Sequence, residues 1–436
     1  MAETMTEIRS GQPFLYRRRG YDSTVIEVRM RDNVRGGPLN VALTAVARRF
    51  PYLTGKLVER DGAYYLARND NSLVAVKTDR FRDLGGMATG YHLVDVTFTG
   101  RLIRVAFHHG LCDGGGILPF VESLVWAYCR ERYRRDCSSE GIRVPGCAID
   151  PAEFAEPFGR DVPPAGRPSE DGRGEGDERP RALALPESTG EPDGCWRTEL
   201  ILDEAVFVAS ARDAGGTPAT FAAAILSRAV LGLNRDAGRP VVCNLAMDLR
   251  RSLGVERTCR NCVGTVALPF GYGDLAEPVS EVCASYRAAV SAAREPAAAR
   301  AFADRQAAFF SRLDQVRTLE GRRELMSVFD GMVNDTYVIS YLGRLRLNDY
   351  ADLVEGACFY SDGICGLTVN MLAAAGRMTV EVLQGFAGDR YARAFAEALE
   401  PYGLVLAGET LPVRTGGDRS AVTASRQAER LFARVE

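Results

Sequence analysis

The sequence predicts a two-lobed α/β fold of the mixed α+β kind, and three observations predict it. The chain has 436 residues, more than one hydrophobic core usually serves, which points to two domains of roughly 150 to 220 residues. Strand-like alternation and helical apolar periodicity interleave along most of that length. Between two such regions, from about 160 to 194, the stretches DVPPAGRPSEDGRGEGDERPRA and ESTGEPDG are dense in Pro, Gly and charge with almost nothing to bury. This reads as an interdomain linker, and apolar periodicity on both sides disfavours a long surface loop within one domain. The expected division is a first lobe at 1–160, a linker at 161–194, a second lobe at 195–411 and a polar tail at 412–436 carrying one frayed helix at 420–435.

The elements follow in order. Residues 38–50, PLNVALTAVARRF, place Leu39, Leu43, Val46 and Ala47 at helical spacing, with Arg48 and Arg49 at the end where the helix dipole favours cations. Pro51 stops that helix, and LTGKLV and AYYLA flank Asp61-Gly62, a tight-hairpin dipeptide. Alternation returns at 91–98 and 102–107, then ILPFVESLVWAYCRERYRR forms an amphipathic helix with Ile117, Val121, Leu124, Val125 and Tyr128 on one face. Beyond the linker, 196–202 is a strand and 217–233 a helix whose Thr217-Pro218 start suits the N-cap and first turn. Strands are expected at 241–250, 263–270, 337–345, 357–361, 367–374 and 378–385. An alanine-rich helical stretch at 279–317 is broken by Pro296, and 389–402 is a closing amphipathic helix.

Bulk properties exclude several classes. The 57 acidic and 54 basic residues leave a net charge of −3, with no global field to attract nucleic acid or an anionic membrane. The longest apolar stretch, Phe221 to Leu233, is broken by Ser227 and Arg228 and is shorter than the ~20 residues of a membrane span. The 11 cysteines are scattered, and MAETMTEIRSGQPF lacks the apolar core of a secretory signal. Reduced thiols and a cytoplasmic location are expected; the oligomeric state stays open, a monomer included.

The chain has 3 histidines, and two of them, His108 and His109, are adjacent and followed by Asp113 and then Gly114, Gly115 and Gly116. An apolar strand precedes them and an amphipathic helix follows, so the motif occupies a strand-to-helix turn. Imidazole concentrated beside an acid and a glycine turn points to a proton-transfer group. The glycines are expected to supply φ freedom and close backbone approach. Asp113 has two possible jobs, orienting His109 as in a triad or bracing the loop through an ion pair. His92 is expected to be a strand residue without chemistry.

The run His108-His109-Gly110-Leu111-Cys112-Asp113-Gly114 is a full match to HHxxxDG. It resembles the active-site motif of the superfamily containing chloramphenicol acetyltransferase, plant and fungal acyl-CoA-dependent acyltransferases, bacterial alcohol acetyltransferases and the condensation domains of nonribosomal peptide synthetases. RRFPYLTGKLVERDG resembles the family's N-terminal segment, Asp248-Leu249-Arg250 its second-lobe D-x-R strand, and VGTVALPF its bridging segment. The resemblance implies two lobes, each a mixed β-sheet covered by helices, meeting at a channel with the histidine in the middle. It implies transfer of an acyl group from an acyl thioester, acyl-CoA or a phosphopantetheine arm of an acyl carrier protein, to a hydroxyl or amine of a small-molecule acceptor. His109 would be the general base, with no covalent acyl-enzyme and no permanently bound cofactor or metal.

The same resemblance gives His108 a packing role and turns Asp113 towards Arg250, so that both brace geometry. The oxyanion donor comes from the second lobe, and Asn261, Thr265, Ser340 and Asn370 are its candidates. The Asp-Phe-Gly-Trp-Gly sequence of the plant subgroup is missing, Tyr360-Ser361-Asp362-Gly363 being a loose echo, so a plant-like substrate range is not implied.

Competing readings are weighed against this one. Cys259-Arg260-Asn261-Cys262 has CxxC spacing but no second pair, which favours an incidental pair over zinc. Adjacent strand histidines point to opposite faces and share one metal ion with difficulty, which counts against a metal-dependent hydrolase. No Walker or dinucleotide glycine pattern occurs. A non-catalytic condensation-like module binding a carrier protein is the remaining alternative; an intact His109 and Asp113 disfavour it. The absence of an attached adenylation or carrier segment leans towards a discrete acyltransferase.

Overall fold

Residues 5–17, 23–158, 181–188, 194–330, 333–361 and 366–413 are described by the computed structural model. The expected helix at 420–435 and most of the expected linker lie outside them.

The N-terminal region contributes β1 (Thr6–Glu7), α1 (Gln12–Tyr16), β2 (Thr24–Met30), α2 (Gly36–Arg49), β3 (Lys56–Arg60), β4 (Ala63–Ala67), β5 (Val76–Lys77), β6 (Val94–Thr99), β7 (Leu102–Phe107) and α3 (Gly114–Tyr133). In β2 and β7, Ile26, Val28, Met30, Ile103, Val105 and Phe107 point into one core with α2 and α3, while the alternate residues Val25 and Ala106 face the other way into a separate cluster. These strands are therefore buried on both sides. The β3–β4 hairpin turns at Asp61 (φ 53°) and Gly62 (φ 72°), the two positive φ values that a two-residue primed turn demands.

The second region supplies β8 (Trp196–Asp203), α4 (Glu204–Asp213), α5 (Pro218–Leu233), β9 (Val241–Asp248), α6 (Arg250–Leu253), β10 (Val263–Phe270), α7 (Val279–Arg294), α8 (Pro296–Gln315), α9 (Leu319–Asp330), β11 (Tyr337–Arg344), β12 (Val354–Ser361), β13 (Leu367–Ala374), β14 (Arg377–Gln384), α10 (Arg390–Leu399), β15 (Leu404–Ala407) and β16 (Leu411–Pro412). Its sheet runs β10-β9-β11-β13-β14-β8-β15, with β16 also on β8. It is mixed, since β11 pairs in parallel with both β9 and β13. Thr217 caps α5 in a capping box with Thr220, and the apolar run of that helix is buried in the second core with α7 and α10. Among the described residues no single helix is long and apolar enough to cross a membrane.

Two details differ from the expected division. Strand β12 leaves the second lobe and pairs antiparallel with β2 at the edge of the first sheet, ordered β12-β2-β7-β6-β5. Its Ala357 and Phe359 enter the first core, while Cys358 and Tyr360 face Cys195 and Leu383 of the other lobe. The span 195–411 is thus not one lobe, because a strand apolar on both faces is worth most between two sheets. The stretch at 161–194 is also not wholly unpacked: Leu183 and Leu185 are buried in the second core, and Leu183 N donates to Pro240 O.

Candidate active site

Strand β7 ends at Phe107 and α3 begins at Gly114, so the six residues between carry the histidine pair into the turn. His108 N donates to Leu93 O and Leu111 N to His108 O, which fixes the entry. The His108 ring accepts from Gly110 N at Nδ1, 2.9 Å away. Burial, with the adjacent His109 as the second cause, depresses its pKa to about 4. It is a neutral, packed histidine.

His109 is half-buried, with Nδ1 itself out of solvent contact. Its ring stacks on Phe14, centroids 3.8 Å apart and planes 18° from parallel. Asn261 Nδ2 donates to its carbonyl at 3.0 Å. Burial lowers its pKa below the usual histidine value, and the nearby Arg17 charge adds to this; the Asp113 charge, its own carbonyl and the Asn261 side chain pull the other way. A neutral imidazole with one nitrogen held inside is equipped to accept a proton at the other.

Asp113 faces away from the imidazoles. Its Oδ1 accepts from Gly116 N at 2.7 Å, capping α3, and from Arg250 Nη2 at 2.6 Å; its Oδ2 accepts from Cys262 N at 2.8 Å. Arg250, which opens α6, also donates to Thr258 O, Arg260 O and Asp248 Oδ1. Burial works against the guanidinium's charge, yet the carboxylates of Asp113 and Asp248 hold its pKa raised. Arg250 and Asp113 are 7% and 1% exposed at the side chain, a buried pair whose remaining donors and acceptors are satisfied.

The segment 259–262 ties itself to the motif at every residue. Cys259 sets its carbonyl against Gly116, Arg260 donates to Leu111 O, Asn261 reaches His109 O, and Cys262 N caps Asp113. The CxxC thiols are buried and their pKa values are pushed up, by burial first, to about 11 and about 12. Four backbone and side-chain contacts in a row explain this stretch better than its sulfur spacing. Periodicity gave no signal for it, because the bonds span more than a hundred residues.

The glycines act differently from expectation. Gly114, Gly115 and Gly116 have no positive φ, since they form the first turn of α3; φ freedom is not their role. A Cβ at Gly114 would lie 2.4 Å from Leu342 Cδ2, at Gly115 3.0 Å from Arg250 Nη1, and at Gly116 1.9 Å from the Cys259 carbonyl oxygen. All three contacts come from the other lobe. Close approach is the requirement.

The four expected oxyanion candidates separate. Asn261 spends an N–H on the backbone of His109. Thr265 is exposed on the edge strand β10. Ser340 and Asn370 are register partners on β11 and β13; their neighbours Ile339, Val369 and Met371 enter the second core, so both point to the opposite face. That face carries Leu342 and Leu372, which pack on the first lobe's core.

His92 is buried and its ring bonds Thr54 O at 2.7 Å and Asn71 O at 3.0 Å. Among the described residues, the His/Cys/Asp/Glu group whose ligand atoms converge is Glu199, Cys358 and Glu381, remote in sequence from the histidine pair. The Arg197 guanidinium already lies among these three, bonding Glu381, Glu199 and Cys358.

No protein-family model matches the sequence, and no curated protein sequence matches it. Polyketide synthase associated protein 5 from Mycobacterium tuberculosis is similar over 92% of this chain and 100% of its own, at 16% identity and a TM-score of 0.63. The F. graminearum TRI101 protein, crystallised with coenzyme A and deoxynivalenol, matches over 92% and 98% at 12% identity and a TM-score of 0.58. The first condensation domain of the CDA synthetase matches over 94% and 99% at 16% identity and a TM-score of 0.56.

Proposed function

We propose that this chain, which has the two-lobed fold shared by chloramphenicol acetyltransferase-like enzymes and condensation domains, is an acyltransferase with His109 as its general base. The acyl donor is a thioester of coenzyme A or of a carrier-protein phosphopantetheine arm, and the acceptor a small-molecule hydroxyl or amine. One observation carries the reading: His109 is half-buried at the strand-to-helix turn with Nδ1 inside, while Asp113 is fully engaged by Arg250, Gly116 and Cys262.

The chemistry needs one proton acceptor and one anion stabiliser. Nε2 of His109 takes the proton of the acceptor O–H or N–H as that atom attacks the thioester carbonyl carbon. The tetrahedral oxyanion needs donors from the second lobe, where Ser340 and Asn370 stand side by side facing the first. Collapse breaks the C–S bond and the imidazolium returns its proton to the departing thiolate. The C–O or C–N bond forms without an acyl-enzyme. Asp113 serves by bracing the turn, because its oxygens are occupied by bonds to the backbone and to Arg250.

The test is thiol release from acetyl-CoA in the presence of pooled alcohols and amines. Turnover by the wild type that is lost in His109→Ala supports the proposal. Absence of His109-dependent turnover with any acyl thioester, alongside retained binding of a carrier protein, would make the chain a non-catalytic binding module.

A further inference from the structure

Phe14 stands outside every motif in the sequence, yet its ring lies 3.8 Å from that of His109 at an interplanar angle of 18°. It sits in α1, a helix of 5 residues, too short to persist on its own. Tethers from both sides supply what the helix lacks. Arg9 N and Ser10 N donate to the Glu156 carboxylate at 3.1 and 2.9 Å. Tyr16 Oη accepts from Arg322 Nη1 at 2.6 Å, and Arg17 pairs with Asp330 at 2.8 Å.

Contact with the motif is equally close. A Cβ at Gly11 would lie 1.8 Å from Gly110 O, and one at Gly110 would lie 2.6 Å from Leu15. The segment 9–17 is therefore clamped between Glu156, the α9 side chains and the histidine turn, with Phe14 as the residue that meets the imidazole.

We infer that Phe14 is a positioning residue for His109, holding the imidazole in the plane that keeps Nδ1 inside. This rests on the reading of His109 as the base. A ring held face to face cannot rotate about χ2 without losing the stack. The aromatic face also favours the imidazolium that forms when the proton is taken, as a cation over a π-system.

Phe14→Leu keeps an apolar cover and removes the π-face; Phe14→Tyr and Phe14→Trp keep the face. Two readouts are needed, the pH profile of thioester turnover and the NMR titration of the histidine ring C–H signals. With 3 histidines in the chain, the His109 signal is assigned by its loss in His109→Ala. In Phe14→Leu, kcat is expected to fall about tenfold with KM changed less than about twofold, as for a misoriented base. The His109 titration and the acid limb of kcat should both move down by about half to one pH unit, because the stabilised imidazolium is lost. Phe14→Tyr and Phe14→Trp should hold both near wild type. An unchanged His109 titration and kcat in folded Phe14→Leu would overturn the inference, as would aromatic variants that behave like the leucine one. If the wild type turns over no thioester, the base assignment fails, but the NMR titration still decides whether Phe14 controls the ring.

Discussion

Arg250 reaches across the lobe boundary to Asp113, placing Nη2 2.6 Å from Oδ1. The same carboxylate caps α3 and accepts from Cys262 N, so a single buried side chain joins the start of the motif helix, the 259–262 segment and Arg250 at the start of α6. Removing either partner leaves the other charge buried, and that costs about 3–5 kcal/mol. Arg250→Ala and Asp113→Ala should each lose stability in that range in denaturant unfolding. Asp113→Asn, which keeps an oxygen for the cap, should lose less. Their double variant should cost less than the sum, since the two share one network.

The glycine contacts predict an ordering. Gly116→Ala would put a Cβ 1.9 Å from a main-chain oxygen that cannot rotate away, whereas Gly115→Ala meets the far end of Arg250 at 3.0 Å. Overpacking of the first kind costs about 1–3 kcal/mol. Thermal unfolding should therefore show Gly116→Ala clearly destabilised and Gly115→Ala close to wild type. Equal effects at both positions would point back to a backbone-conformational role.

Much of this was legible in the sequence because it is local. The α2 stripe, the Asp61-Gly62 hairpin, the Thr217 cap of α5 and the break at Pro296 each depend on residues a few positions apart, and each element formed there. The turn carrying His108 and His109 was legible for the same reason. What escaped depends on partners far along the chain: the exchange of β12 into the first sheet, the hold of 259–262 on the motif, and Phe14 over His109. The CRNC run stands out for its sulfurs, while its work is done by a carbonyl, a guanidinium, an amide side chain and a backbone N–H. Helices α4 and α9 also escaped, being only 10 and 12 residues long beside the longer α5 and α8.

The depressed histidines set a pH window. As the proposed base, His109 would have to be neutral to accept a proton, and burial puts its pKa below the usual 6.5. Turnover should be flat through neutrality and fall on an acid limb below that value. His108 acts on stability instead. Its folded pKa is about 4, so between about 6.5 and 4 the unfolded chain binds a proton that the folded chain refuses. Its contribution is fully present above the unfolded value and is lost as pH falls through the window, on the order of 3 kcal/mol. His108→Gln should flatten that part of the stability profile in urea titrations between pH 7 and 4, while leaving the acid limb of kcat, which belongs to His109, in place.

Ser340 and Asn370, the proposed oxyanion donors, would give the sharpest separation between binding and chemistry. They are adjacent in register, and Asn370 is 4% exposed, so its amide is already desolvated on the face turned to the first lobe. A donor aimed at charge that develops only after attack contributes little to the ground state and much to the transition state, about 10²–10³ in kcat for one lost donor. Asn370→Ala or Ser340→Ala should then lower kcat by that factor with KM nearly unchanged, and Thr265→Ala, exposed on an edge strand, should change neither. Asn261→Ala should behave differently again: loss of its bond to His109 O loosens the base itself, so kcat falls together with about 1 kcal/mol of stability. Steady-state kinetics and unfolding curves on the four alanine variants distinguish these outcomes. A rise in KM without loss of kcat at Ser340 and Asn370 would make them ground-state contacts and move the oxyanion site elsewhere.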